Sequence, residues 1–220
     1  MNLKLSEVVS GIEPVSEQWR QKAREYMKNL AMPQDSLGEL LTLAEQLAAI
    51  KRSLKPSVSH KTVVTMAGDH GVVAEGVSAY PQEVTPQMVY NFVSGGAAIN
   101  VLAAAAGARV IVVDMGVAAD LSSLVEEGKI ISCKIGYGTK NFARGPAMTR
   151  EEAVQALEAG IFIAGKLAGE GAELLATGDM GIGNTTPSSA ILAVFSGKPV
   201  QEVTGRGTGL DDEGLQNKIR

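Results

Sequence analysis

Leu174-Leu175-Ala176-Thr177-Gly178-Asp179-Met180-Gly181-Ile182-Gly183-Asn184-Thr185-Thr186-Pro187 is the stretch from which the fold is read. A short apolar run breaks into glycines and then into amide and hydroxyl residues, the pattern of a strand that turns into a helix. Glycines let a main chain approach a phosphate closely, and the free N–H groups of a helix beginning near Asn184 would point at an anion with a favourable dipole. The same pattern also serves an ordinary strand-to-helix turn, in which glycine supplies the bend and Asn or Thr the cap. The run is not a Walker A loop, since no Gly-Lys-Ser/Thr opens the helix, and it lacks the Gly-x-Gly-x-x-Gly spacing of dinucleotide sites. Neither ATP nor NAD is indicated.

Working outward, short β-rich runs at 62–66, 109–114, 129–133 and 173–177 alternate with helical patterns at 86–93, 97–106, 149–167 and 185–195. That alternation is the signature of a parallel sheet covered by helices. Thr149 and Glu152 form a capping box at the head of one helix, which should turn Val154, Leu157, Ile161 and Ala164 inward. The first sixty residues differ: Leu37, Leu40, Leu41, Ala44, Leu47 and Ala48 recur at helical spacing, after a helical stretch over 17–30 and a break at Pro33. The expected architecture is α/β, an open parallel sheet with flanking helices of Rossmann-like type over 58–220, plus a small N-terminal helical subdomain over 1–57.

Composition bounds the function classes. Aromatic residues make up 4% of the 220 residues against 45% hydrophobic and 25 glycines, which suits helices lying close on a sheet better than a β-sandwich. A net charge of −4 without a basic stripe argues against nucleic acid as a partner. Cys133 is the sole cysteine, so neither an intrachain disulfide nor a cysteine metal cluster can form. The longest apolar region, 97–113, is broken by Asn100, Gly107 and Arg109, and the acidic N-terminus, with Glu7, Glu13 and Glu17, does not read as a signal peptide. A soluble cytoplasmic protein with no membrane association and no metal is expected.

Ligands of open α/β sheets bind beyond the carboxyl ends of the strands, and polar residues collect there. Ala67-Gly68-Asp69-His70-Gly71-Val72 reads either as a ligand-facing loop, with Asp69 orienting His70 or a backbone group, or as an Asp-capped turn with a packed histidine. In the long loop 75–85, Tyr80 and Gln82, with Met88 beyond it, could form an apolar slot with polar edges for a flat aromatic base, and Thr85-Pro86 makes a helix N-cap and first-turn pair. An irregular surface loop is the alternative. Gly205-Arg206-Gly207-Thr208-Gly209 is a second glycine turn, near Lys218, whose mobile charge would add to backbone donors at an anion site unless it is merely solvated. Asp211 and Asp212 suit a helix cap better than a metal site.

These clusters, together with Ser36-Leu37-Gly38, Glu75-Gly76-Val77, Gly145-Pro146-Ala147-Met148 and Asn217-Lys218, resemble in order and over essentially the whole chain the nicotinate-nucleotide:dimethylbenzimidazole phosphoribosyltransferase family. The resemblance implies transfer of the 5-phosphoribosyl group from nicotinate mononucleotide to 5,6-dimethylbenzimidazole, with inversion, giving α-ribazole 5′-phosphate and nicotinate in cobalamin lower-ligand assembly. It implies a homodimer and no cofactor. Carried over residue by residue, Gly181, Gly183 and Asn184 would lie at the phosphoribosyl end with Lys218 near the phosphate, and Tyr80, Gln82 and Met88 would line the base slot. Asp179 stands where many relatives have glutamate, one methylene longer, so a direct polar contact would have to shift or pass through water. Leu37-Gly38-Glu39 departs from the family's more usual Leu-Gly-Arg or Leu-Gly-Asn.

Family members continue beyond the segment matching Arg220 and carry their general-base glutamate there, so the resemblance implies a partial copy without normal transferase activity. A missing base costs about 10²–10⁴ in rate. Uncovered apolar helix faces and a sheet edge would favour association or aggregation. Two other classes stay open: a non-catalytic module that keeps the nucleotide pocket, and a magnesium-dependent transferase using phosphoribosyl pyrophosphate. The latter wants paired acids after a strand, and Asp179 has no acidic neighbour.

Overall fold

Thr62, Val63, Val64 and Thr65 are buried in succession, which only a strand covered on both faces permits. The computed structural model describes residues 4–33 and 35–220; residues 1–3 and 34 of the expected 1–57 subdomain lie outside the described residues. Two compact units are present, Lys4–Ser59 and His60–Arg220. The first holds α1 (Leu5–Ser10), α2 (Glu17–Lys28) and α3 (Glu39–Lys51). Ser16 caps α2 by accepting from the Trp19 N–H, buried Ala23, Ala48 and Ala49 let α2 and α3 lie close, and Arg24 Nε meets Glu45 Oε2 at 2.7 Å.

The second unit is an α/β sheet. Its strands, β1 (Lys61–Gly68), β2 (Ala108–Gly116), β3 (Ile131–Ser132) and β4 (Leu174–Met180), are all parallel in the order β3-β2-β1-β4. Alternation along the strands sends Ala67 and Val112 to one face and Val64 and Val113 to the other. The first face is covered by α4 (Val84–Val93), α5 (Ala98–Ala105) and α6 (Ser122–Glu126), through Val89, Phe92 and Leu124; the second is covered by α7 (Arg150–Gly169), through Ile163 and Leu167. The chain thus steps outward from β1 to β2 to β3 through helices on one face, then returns by α7 over the other to lay β4 on the opposite side of β1. Beyond β4 lie α8 (Thr185–Ser196), α9 (Val200–Val203) and α10 (Asp212–Ile219).

Several local readings need correction. The strand expected over 129–133 shrinks to Ile131–Ser132, because only Val113 and Asp114 of β2 offer it partners. β4 runs on to Met180, so Gly178 and Asp179 are strand residues rather than turn residues. On α7 the buried residues are Ile163 and Leu167, while Leu157 is 56% exposed and Ala164 is exposed; the capping box is present, but the helix is rotated to set Ile163 and Leu167 on the sheet. The helix expected to open at Thr85 and Pro86 begins at Val84, and Thr85 is buried inside it. By length and hydropathy the segment Val84–Ala105, not 97–113, comes nearest a membrane span among the described residues. It is two helices broken at Gly95 and Gly96, with Val89, Phe92 and Ala103 buried.

One cation stabilises the carboxyl ends of the strands. Asp114, 1% exposed, accepts from the Gly116 and Val117 N–H groups through Oδ1 at 3.1 and 2.9 Å. Its Oδ2 lies 3.1 Å from Lys134 Nζ, which also donates to the carbonyls of Val117 and Ala119 at 2.6 and 3.0 Å and sits 4.4 Å from the Tyr137 ring centre. Removing one partner of a buried pair strands the other charge and costs about 3–5 kcal/mol. Lys134→Met should lower the urea midpoint accordingly, and Asp114→Asn in the same chain should recover part of the loss. An unchanged midpoint in the single variant would remove this pair from the fold's stability.

Candidate functional site

Because the strand order reverses after β3, the loops that follow β1 and β4 leave neighbouring strands at the sheet's carboxyl edge, the position where open α/β sheets bind ligands. The β1 wall is held by Asp69, 2% exposed. Its backbone N–H donates to the Gly116 carbonyl at 3.0 Å, its Oδ2 accepts from the Ala118 N–H at 2.7 Å, and its own carbonyl accepts from the Thr139 N–H at 3.0 Å. Of the two readings of this loop, Asp69 therefore orients backbone on the neighbouring strand's loop. His70 follows, turned toward β4.

The β4 wall is the glycine run. A Cβ at Gly181 would stand 2.0 Å from the Gly68 carbonyl oxygen and 2.9 Å from His70 Nε2, and one at Gly183, where φ is +78°, would stand 2.7 Å from Val73 Cγ2. Both glycines are demanded by the close approach of the two loops to each other, before any ligand is considered. Thr85 Oγ1 accepts from the Ile182 N–H at 3.0 Å, pinning the turn to α4. Asn184 makes no cap bond; its Nδ2 donates to Asp179 Oδ1 at 2.8 Å.

At the first turn of α8 three segments converge. Lys218 Nζ donates to Thr185 Oγ1 at 2.5 Å, and a Cβ at Gly207, where φ is +61°, would lie 2.8 Å from that oxygen and 3.2 Å from the ammonium. Lys218 is 8% exposed, not a solvated charge, and burial pushes its pKa below the ordinary lysine value. A lysine at a helix start with a glycine turn passing over it brings a point charge to the positive end of the helix dipole, although the Thr186 N–H is taken by the Gly183 carbonyl at 2.9 Å and Pro187 has none. Arg206 points elsewhere, to the Leu210 carbonyl and the Asp212 carboxylate, while Asp211 caps α10 by accepting from the Gly214 N–H at 2.8 Å.

The residues anticipated for the site fall into three places. Asp179 and Gly181 lie by His70, Gly183 approaches Val73, Asn184 binds Asp179, and Lys218 stands at the head of α8. Met88 is half-buried and packs with Met180 on the core of the α4 face; Gln82 is half-buried, with its carbonyl accepting from the Thr85 N–H at 2.9 Å; Tyr80 is exposed, its ring edge 4.0 Å from where a Gly209 Cβ would be. Sequence reasoning missed Thr85 as the pin of the turn. It also missed a cavity of about 210 Å³ on the α7 side of β1, lined by His70, Met115, Lys140, Met148 and Glu152. The glycine-rich spacing of 136, 138 and 145 was its available signal.

Burial lowers the His70 pKa, outweighing the opposite pull of Asp179 and Asp69, so the imidazole is neutral at pH 7. Burial and Asp114 raise the Cys133 pKa, leaving a protonated thiol that is a poor nucleophile. Among the described residues no group of three or more His, Cys, Asp or Glu is arranged to hold a metal ion.

Comparison with known proteins agrees with the α/β fold. A family model described as phosphoribosyltransferase matches residues 12–220. The nicotinate-nucleotide–dimethylbenzimidazole phosphoribosyltransferase of Syntrophotalea carbinolica is 55% identical over 219 residues, covering 100% of this chain and 62% of that protein. The same-named protein of Geobacter sulfurreducens is 55% identical over 216 residues, covering 98% and 60%. The crystal structure of CobT from Thermus thermophilus superposes with a TM-score of 0.86 at 50% identity, covering 92% of this chain and 60% of that one. The chain spans about three fifths of the length of these curated relatives. With its fold matched at that TM-score and residues 12–220 matched by the family model, the chain belongs to the phosphoribosyltransferase family.

Proposed function

We propose that this chain carries the phosphoribosyl-holding part of an enzyme that transfers the 5-phosphoribosyl group from nicotinate mononucleotide to 5,6-dimethylbenzimidazole, giving α-ribazole 5′-phosphate and nicotinate. The observation that carries the reading is the buried ammonium of Lys218 at the first residue of α8, beneath the Gly207 turn. A phosphate there gains a charge-assisted bond at the positive end of the α8 dipole, which fixes the ribose relative to the strand ends. The relatives' names supply the substrates, and the reaction's own chemistry fits: the nicotinate leaves from a cationic pyridinium, so its departure needs no protonation.

In this reading the unprotonated ring nitrogen of the incoming benzimidazole attacks the anomeric carbon as the bond to nicotinate breaks, and the proton on its other ring nitrogen passes to a carboxylate. We assign that acceptor to the part of the relatives' length that this chain does not span. Asp179 is a poor candidate, because Oδ1 is engaged by Asn184. Tyr80, Gln82 and Met88 form the base side of the site. The working enzyme is taken to be cytoplasmic and a homodimer, the second reading supported by large apolar groups left uncovered on α8, with Phe195 86% exposed.

Calorimetry with nicotinate mononucleotide and with the phosphate-free nicotinate riboside tests the assignment. Hydrogen bonds to charged groups are worth about 1.5–3 kcal/mol, so Lys218→Ala should weaken the mononucleotide by roughly tenfold to a hundredfold and leave the riboside unchanged. Equal mononucleotide affinity in the variant would remove the phosphate from this place. A pH dependence follows from His70. Its folded pKa is depressed, so its stabilising contribution is present above the unfolded value of about 6.5 and is lost as pH falls through the lower folded value. His70→Gln should flatten the fall in the urea midpoint on that acidic limb; an unaltered slope would show that His70 is not its source.

A further inference from the structure

Lys218 has four rotatable side-chain bonds, and eight residues are too few for an isolated α10 to hold its shape, so the place of the ammonium depends on what anchors the helix. One anchor is the Asp211 cap at its start. Arg206, bonded to Asp212, holds the same end, and the anchor at the far end is the residue beside the lysine. Asn217 Nδ2 donates to the Glu75 carbonyl at 2.8 Å, at the end of the short 3₁₀ turn Gly71–Glu75 that follows β1. Gly76, with φ at +72°, lets the chain turn there; a Cβ at that position would lie 3.7 Å from Asn217 Nδ2. The Glu75 side chain in turn accepts from Asn141 Nδ2 and from Arg144 Nε, the latter at 3.0 Å. These bonds hold its carboxyl below the ordinary glutamate range.

Consecutive residues on a helix point about 100° apart. Asn217 therefore reaches the loop after β1 while Lys218 reaches the helix after β4, and α10 ties together the segments that follow these two strands. We propose that Asn217 is a positioning residue for the phosphate site: by fastening the last turn of α10 to the Glu75 carbonyl, it sets where the Lys218 ammonium stands at the head of α8. Glu75, held by Asn141 and Arg144, fixes the height of that fastening. This rests on the assignment of Lys218 to the substrate phosphate, and nothing in that assignment requires Asn217.

The test is a double-mutant cycle on the 220-residue chain, using nicotinate mononucleotide and nicotinate riboside in calorimetry, with Lys218 Cε followed by NMR titration. Alanine favours helix more than asparagine does, so Asn217→Ala removes the bond without weakening α10, and Asn217→Asp replaces the donor by an acceptor of the same shape. A neutral hydrogen bond corresponds to about twofold to tenfold in affinity. Both variants should weaken the mononucleotide by that factor, spare the riboside, add no loss once Lys218→Ala is present, and move the Lys218 titration up toward the ordinary lysine value. Equal weakening of both ligands, additivity with Lys218→Ala, or unchanged affinity with an unchanged Lys218 titration would each overturn the proposal. If Lys218→Ala itself leaves mononucleotide affinity intact, the phosphate assignment falls, and the Lys218 titration in Asn217→Ala still decides the positioning.

Discussion

The backbone of Gly181 lies against the backbone of Gly68, and a single added carbon at 181 would sit 2.0 Å from the neighbouring carbonyl oxygen. This approach brings the loops after β1 and β4 into contact. It places His70 under the turn, aims Ile182 at Thr85, and sets the direction in which α8 leaves the sheet. Parallel strands alone would not do this, because their hydrogen bonds end at Ala67 and Met180. The fit of two glycine-lined loops carries the order of the sheet into the geometry of a site.

The fold is legible in the sequence because its signals are local and repeated. Four β-rich runs spaced by Ala-rich helices admit few architectures, and the Thr149 and Glu152 capping box marks its helix start in both sequence and structure. What sequence periodicity does not supply is rotation. Leu157 and Ile161 look as apolar as Ile163 and Leu167, and only the sheet beneath decides which pair is buried. Strand length fails similarly: Gly178 and Asp179 carry turn composition, yet the ladder of β1 runs past them and holds them in register with Thr65 and Met66.

At the site, residues close in sequence are legible as a group, and roles that depend on distant partners are not. Asp179, Gly181, Gly183 and Asn184 come together because they are neighbours in the chain. The glycines, which read as room for a phosphate, are needed for loop-on-loop packing. Thr85 has the composition of a helix cap and is a buried acceptor 97 residues from its donor. Lys218 has the composition of a mobile surface charge and is buried beside Thr185. Pattern reading sees residue types; it does not see which long-range bond consumes each polar atom.

The separation of β1 from β4 has a consequence for how the molecule is assembled in time. The contact of the His60 N–H with the Glu173 carboxylate, at the amino end of that pairing, closes a loop across 113 residues, whereas β1 and β2 meet after fewer than half as many. During vectorial synthesis the three strands on one side can pair and bury the α4 face while β4 is still unmade. β1 gains its second neighbour only when residues 174–180 emerge, and Lys218 can reach the head of α8 only later still. The Lys218–Thr185 contact is thus the late product of a sheet whose other side is already built.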